Sequence, residues 1–307
     1  MRLGTRGSAL ALAQAEELRR RLAAACPALA APAQLETVVV RTTGDRVQDR
    51  PLSEIGGKGL FARELEEALL DRRIDVAVHS LKDLPSVLDG AFRLAAVLER
   101  ADPRDALVTR DRLADLALLP ESAVLGSSSL RRQAMALALR PDLDVRPLRG
   151  NVDTRLRKLD AGDYDALLLA QAGLQRLGLG EVGVAQPVER FLPAVAQGAI
   201  GLEIRADDAP TAALLGAVNH ARSWLAVTAE RACLAALRGS CVTPVGVLAE
   251  VDESGARLRA CLILPDGSQP LAVERRGRPQ ELLPLAEDAG RELRRRATPA
   301  HLALLEN

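Results

Sequence analysis

Two apolar stretches, IDVAVHSLKD (74–83) and YDALLLAQAG (164–173), each carry an aspartate at their second position and run into a polar tail. Each belongs to a half of the chain that opens on a Gly/Ser turn and an Ala/Leu/Arg-rich helix: GTRGSALALAQAEELRR from Gly4, and GSSSLRRQAMALALR from Gly126. Short apolar runs of this kind read as strands buried on both faces, and the segments with helical spacing read as their covering helices. The distance from Gly4 to Ile74 differs from that between Gly126 and Tyr164, so the echo describes two similar α/β lobes and not a tandem repeat. Alternation of strand and helix predicts mostly parallel sheets covered on both faces.

Along the first lobe the pattern predicts a helix over 8–25 with Ser8 at its cap, a strand over 35–41, a helix over 58–71 and a strand over 74–80. The second repeats it with strands at 123–125, 143–147 and 165–170 and helices at 128–139 and 152–161. ERADPRDA (99–106) and FLPAVAQG (191–198) have the proline and charge of crossings between lobes, and GAIGLEIRA (198–206) reads as a strand returning to the first sheet. From about residue 220 the character changes to a helix (219–237), three strand-like runs (245–251, 257–264, 270–276) and a last helix (279–297). The expected fold is therefore α/β: two similar doubly wound lobes joined by a double crossover, residues 1–97 with 198–217 and residues 103–192, plus a small C-terminal α+β domain over 219–307. Such a body leaves a cleft at the strand ends, where ligands usually bind.

With 307 residues, 48% of them hydrophobic, the chain is long enough for more than one core. Its formal net charge is zero, which gives no reason to expect a nucleic acid or a membrane surface as partner. No stretch reaches the ~18 apolar residues of a membrane span, and the broken N-terminal apolar run is not a signal peptide, so a cytoplasmic protein is expected. The four cysteines (26, 233, 241, 261) form no CxxC pair, which argues against zinc and for free thiols. Cys26, Cys233 and Cys261 lie in apolar contexts and read as core thiols, whereas LRGSCVTPVG places Cys241 among turn formers.

Several segments carry chemistry. VAVHSLKDLP brings Ser80, Lys82 and Asp83 to a strand end, where a partly desolvated carboxylate moves protons or stabilises a cation; the plainer reading is a solvated ion pair. His79 reads as a hydrogen-bonded structural residue, and Tyr164 and Trp224 as packing residues. GSSSLRRQ offers Ser128, Arg131 and Arg132 at a helix start, where unpaired cations oppose the helix dipole and a bound carboxylate would relieve them. Arg149 and Arg155 flank a glycine turn, Arg6 and Ser8 open a third helix, and Lys58 precedes a fourth. Only Lys58, Lys82 and Lys158 are lysines, so arginine number by itself carries little weight. Four cationic helix starts on a neutral protein together point to a ligand with several negative charges, since arginine forks pair carboxylates bidentately.

HSLKDLP, GSSSLRRQ, LRGNVDTRL and GSCVTP, in this order and spacing, resemble the porphobilinogen deaminase (hydroxymethylbilane synthase) family over roughly residues 1–275. The resemblance implies a two-lobed architecture like that of type II periplasmic binding proteins. It implies a monomeric transferase of haem and tetrapyrrole biosynthesis that joins four porphobilinogen molecules head to tail and releases ammonia. It also implies a covalent dipyrromethane cofactor, held by a thioether to Cys241. Asp83 matches the family's catalytic aspartate. Lys82, Ser80, Ser128, Arg131, Arg132, Arg149 and Gln197 match cofactor-binding positions, and Arg6, Ser8, Lys58, Arg149, Arg155 and Arg176 match substrate-binding ones; no metal is implied. The chain departs from the family at Glu54, where a lysine is frequent; at Asp153, a more usual glycine, whose charge is expected to pair with Arg149 or Arg155; and at Ser240, where glycine is common. The same reading expects Cys241 on a mobile, exposed anchor loop. A non-catalytic two-lobed binding module for a polycarboxylate is the alternative, without a role for the third domain or its loop cysteine.

Overall fold

The computed structural model describes residues 1–42, 62–240 and 242–305; Glu54, Lys58 and Cys241 lie outside the described residues, as does the start of the helix expected over 58–71. The chain forms two compact units, Met1–Ala101 with Gly198–Trp224, and Asp102–Gln197 with Leu225–Asn307.

The first unit opens with β1 (Arg2–Thr5), α1 (Ala9–Ala25), β2 (Glu36–Val39), α2 (Arg63–Leu70), β3 (Val76–Ser80) and β4 (Phe92–Val97). The second then contributes β5 (Asp105–Thr109), β6 (Val124–Gly126), α3 (Leu130–Leu139), β7 (Asp144–Arg146), α4 (Val152–Asp160), β8 (Ala166–Ala170), α5 (Gln171–Arg176) and β9 (Val184–Ala185). The chain returns as β10 (Ile200–Arg205) and α6 (Ala209–Gly216). It ends with α7 (Ala221–Leu237), β11 (Val245–Asp252), β12 (Gly255–Leu262), β13 (Leu271–Gly277), α8 (Leu282–Arg296) and α9 (Pro299–Leu305).

The two larger sheets have the orders β2-β1-β3-β10-β4 and β7-β6-β8-β5-β9. In each, the strands joined through helices pair in parallel, while the crossing strand, β10 or β5, pairs antiparallel with both neighbours. Four strands of each sheet therefore run the same way, as expected of mostly parallel sheets, and the crossing strand alone runs against them. A returning strand arrives without a covering crossover helix, so nothing constrains it to run parallel.

Register makes the internal echo concrete. Gly4 stands opposite Ala77 and Gly126 opposite Leu167, so Gly4 corresponds to Gly126 and β3 to β8. Asp75 accepts a hydrogen bond from Arg2 N at 2.7 Å, and Asp165 accepts its counterpart from Val124 N at 2.8 Å. Arg205 donates to the carbonyls of Leu69 and Ile74 at 2.7 and 3.0 Å, and Arg110 to those of Leu159 and Tyr164 at 2.8 and 3.3 Å. These guanidinium bridges tie the end of each covering helix to the strand after it.

The helices begin as their sequences direct. Ser8 accepts from Ala11 N, Ser129 from Arg132 N and Asn151 from Thr154 N, each satisfying a donor left free in a first helical turn. Leu18 and Leu22 of α1 pack on Val76, Val78, Ile200 and Leu202 of the first sheet. In the second unit, α7 and α8 cover the antiparallel sheet β11-β12-β13, with Leu237, Val247, Leu258, Leu262 and Leu293 in the shared core.

These two helices cross closely at Gly290, where an added Cβ would overlap the Cys233 carbonyl oxygen. Backbone cannot swing aside as a flexible side chain does, so Gly290→Ala forces the helices apart. It is expected to cost about 1–3 kcal/mol, as overpacking does, read as a lower urea midpoint by circular dichroism.

Candidate active site

β3 is the middle strand of the first sheet, and its side chains are buried up to Ser80. A short 3-10 turn, Leu81–Asp83, comes next at its carboxyl end, the edge where open α/β sheets bind ligands. The turn is fastened on several sides. Ser80 Oγ and the Gln14 amide exchange hydrogen bonds at 2.9 and 3.0 Å, Leu81 N donates to Ala199 O at 3.0 Å, and Leu84 N donates back to Leu81 O at 3.2 Å. Lys82 and Asp83 are half-buried, and among the described residues the Asp83 carboxylate forms no hydrogen bond or ion pair. Arg6, also half-buried, and Ser8 lie between β1 and α1 at the same end of the sheet. His79 sits in the buried, hydrogen-bonded placement expected of it, its Nε2 at 2.8 Å from Glu203 Oε2.

In the second unit Arg131 and Arg132 occupy the first turn of α3, as expected, and both are buried. The carboxylate that relieves them is the protein's own. Arg131 Nη1 donates to Asp105 Oδ2 at 2.7 Å and to Leu192 O at 2.6 Å. Arg132 Nε donates to Asp105 Oδ1 at 2.8 Å, and its Nη1 to Leu168 O at 2.8 Å. Gln197, fully buried, adds Nε2 bonds to Asp105 Oδ1 at 2.9 Å and to Pro103 O at 2.8 Å. Gln197 is turned inward between Ala196, with φ of 57°, and Gly198, with φ of 87°. A left-handed alanine persists only where its surroundings hold it; here Glu230 Oε2 accepts from Ala196 N at 2.7 Å. Sequence reasoning missed Asp105 because ADPRDA looks like a charged crossing, and only the pairing of β5 between β8 and β9 buries its first residue. One of the two arginine charges in this turn is therefore already balanced.

Of the remaining candidates of this unit, Ser128 and Arg149 follow the ends of β6 and β7, Arg155 lies in α4 and Arg176 ends α5. Ser128 Oγ donates to Leu148 O and accepts from Leu148 N, at 2.9 and 3.0 Å, clasping the ends of β6 and β7 together. Arg149 precedes Gly150, and Arg155 Nε donates to Gly150 O at 2.9 Å; both arginines are half-buried. Asp153 pairs with Arg157, one helical turn on, at 3.3 Å, and not with Arg149 or Arg155: four-residue spacing puts it beside Arg157 on the exposed face of α4. Tyr164 is a packing residue, its hydroxyl donating to Pro147 O.

Burial pushes the Cys233 thiol up to about 12, with the Glu230 charge adding to it, and the Cys261 thiol up to about 11. Cys26 and Cys261 differ from their core expectation: both are partly exposed, Cys26 as the residue capping the end of α1 and Cys261 on β12. Around Cys241, Ser240 N donates to Thr243 Oγ1 at 2.8 Å and Thr243 N to Ser240 O at 3.1 Å. Thr243 is buried, so the described residues on either side of Cys241 are hydrogen-bonded to each other.

Burial alone would raise the Asp105 pKa. The Arg131 and Arg132 charges, with hydrogen bonds from Arg131 and Gln197, outweigh it and hold the carboxyl well below the usual range. A group depressed in the folded state contributes stability above its unfolded pKa of ~3.9 and loses it as pH falls through the folded value. Urea unfolding of wild type is thus expected to weaken below about pH 4. Asp105→Asn, which strands two buried guanidinium groups, is expected to lose about 3–5 kcal/mol at pH 7 and to show a flatter acid limb.

Comparison with known proteins bears on what these sites serve. Residues 1–213 match the family model described as "Porphobilinogen deaminase, dipyromethane cofactor binding domain", and residues 224–297 match "Porphobilinogen deaminase, C-terminal domain". The chain is 54% identical over 299 residues to the porphobilinogen deaminase of Paracoccus denitrificans, covering 97% of this chain and 94% of that protein. It is 51% identical over 296 residues to that of Nitrobacter hamburgensis, covering 96% and 93%, and 54% identical over 275 residues to that of Sphingopyxis alaskensis, covering 89% and 87%. A carboxylate-bearing turn at the end of β3, cationic helix starts in both units and matches that span the chain lead to one conclusion: the chain belongs to the porphobilinogen deaminase family.

Proposed function

We propose that this transferase joins four porphobilinogen molecules head to tail, releasing ammonia, to form hydroxymethylbilane, with Asp83 as the catalytic carboxylate and Cys241 as the thioether anchor of the dipyrromethane. The observation that carries the role of Asp83 is its placement: a half-buried carboxylate, unengaged among the described residues, on a fastened turn at the carboxyl end of the central strand. When ammonia departs from the substrate's aminomethyl carbon, positive charge spreads into the pyrrole. A carboxylate held in place beside that charge stabilises it, and can later take the α-proton released after carbon–carbon bond formation.

The donor chemistry of the chain fits the cofactor. Each pyrrole unit carries an acetate and a propionate, and carboxylates are held best by guanidinium forks, ammonium groups and hydroxyls. Arg149, in the turn after β7, and Arg155, in the first part of α4, are half-buried, and the buried Arg131 Nε has no hydrogen-bond partner among the described residues. Lys82, Ser80, Ser128, Arg131, Arg132, Arg149 and Gln197 would hold the cofactor, and Arg6, Ser8, Lys58, Arg149, Arg155 and Arg176 the incoming substrate. Asp105 limits what the pair Arg131–Arg132 can give: one net positive charge between them, delivered from fixed positions. When bound, the dipyrromethane supplies the free α-carbon from which the chain is extended.

The binding-module alternative is set aside by the enzyme relatives that match nearly the whole chain. Among the described residues no helix is long and apolar enough to cross a membrane. A monomer working in the cytoplasm, without nucleic acid, is part of the same proposal.

Three measurements test this reading and its assignment of the thiols. Asp83→Asn is expected to lower kcat on the order of 10²-fold, as loss of one such electrostatic group does; near-normal turnover would remove the catalytic role. Intact-mass analysis should show a covalent addition of two pyrrole units on wild type that is absent from Cys241→Ser. Iodoacetamide at neutral pH should leave Cys233 and Cys261 unmodified in the folded protein, because thiols with raised pKa carry almost no thiolate there.

A further inference from the structure

One face of the first unit's sheet holds a polar pair that the matching face of the second sheet lacks. His79 and Glu203 meet at 2.8 Å with side chains 6% and 0% exposed. Leu65, Ala68, Leu69, Ala77 and Phe92 pack together on that face, where Glu66 of α2 and the buried Arg205, bound to the carbonyls of Leu69 and Ile74, are further charged groups. Register sets Gly201 opposite His79 and Glu203 opposite Ala77; in the second sheet it sets Ala106 opposite Leu169 and Val108 opposite Leu167. The positions matching His79 and Glu203 are therefore Leu169 and Val108, and both lie in an apolar core. Replacing a buried polar pair by apolar side chains is commonly neutral or stabilising. Glu203 Oε1 is moreover buried without a hydrogen-bond partner among the described residues, and burial together with the Glu203 charge pushes the carboxyl of Glu66 on α2 up. Stability gives no reason to keep this arrangement in one sheet and omit it from its twin.

The sheets diverge at the strand end. β3 ends at Ser80 and passes into the three-residue turn that carries Lys82 and Asp83, whereas β8 ends at Ala170 and passes into the six-residue helix α5. Ser80 is fastened to Gln14, and Leu81 N to Ala199 O. The Leu81 side chain fills the space beside Gly201, where an added Cβ would lie 2.6 Å from its Cδ1. The His79–Glu203 bond fixes a side chain of this strand end directly to one of β10.

We propose that His79 and Glu203 are positioning residues for the reaction: their hydrogen bond locks the end of β3 to β10 and so sets where Lys82 and Asp83 stand. The proposal rests on Asp83 being the catalytic carboxylate.

The test uses full-length protein, with kcat, KM, thermal unfolding and intact mass for cofactor loading. The double variant His79→Leu/Glu203→Val installs the second sheet's apolar pair. It is expected to unfold at or above the wild-type temperature, to carry the cofactor mass and to keep KM within about twofold, yet to lose about tenfold or more in kcat, as small misplacements of reacting groups do. Glu203→Gln keeps an acceptor for the ring and is expected to hold kcat within about threefold. Wild-type kcat in the loaded double variant overturns the proposal, as does a Glu203→Gln loss as large as the double variant's. A double variant that fails to fold or to load also overturns it, because the pair is then structural. Asp83→Asn is assayed alongside: normal turnover there fails the underlying reading, while an inactive Asp83→Asn beside a fully active double variant fails the positioning proposal alone.

Discussion

The carboxylate of Asp105 holds together three parts of the second unit: a sheet strand, a helix start and the segment by which the chain leaves. It is fully buried on β5, with Arg131 and Arg132 from the start of α3 and Gln197 from the segment that leaves the unit all bound to it. Through the same arginines the carbonyls of Leu168 and Leu192 join the network. Burying a charge is costly unless it is paired, and here the pairing group for two first-turn cations comes from the crossing strand. Strand, helix start and exit segment are consequently fixed by one electrostatic knot, and the arginines reach any ligand already oriented.

That knot also shows how binding and folding share residues in this protein. Ser128 clasps two strand ends, Ser80 clasps α1 through Gln14, and Ser8 caps the helix it is also expected to serve as a binding group. Few of the candidate groups idle until a ligand comes. Their geometry is set by hydrogen bonds within the unit, which is the pre-organisation that carboxylate recognition and cation stabilisation require.

Much of this was legible in the sequence, for physical reasons that can be named. The aspartates at positions 75 and 165 and the glycines at 4 and 126 occupy matching register positions, so local pattern and tertiary structure agree there. The strand-end turn with Lys82 and Asp83 was visible because an apolar run that stops at polar residues and a proline has few alternatives. Asp105 was not visible, since nothing local distinguishes an aspartate that will be buried at the start of an inner strand from one in a solvated crossing. The reversed direction of the one crossing strand in each sheet escaped as well, because it depends on partners far away in the chain. Asp153 was misassigned for a simpler reason: helical spacing favours Arg157 over either candidate across the turn.

The double crossover has a consequence for how the chain is made. Every strand of the second sheet comes from one continuous stretch, β5 to β9, residues 105–185. The first sheet, in contrast, has β10 between β3 and β4, so it stays split until residues 200–205 leave the ribosome. Although it contains the N-terminus, the first unit is the later of the two large sheets to close during synthesis. Until then β3 presents an unpaired edge next to the segment that will carry Asp83, an aggregation-prone state of the kind that chaperones cover. Order of synthesis and order of completion are reversed, and the lobe that holds the Asp83 turn is the one left waiting.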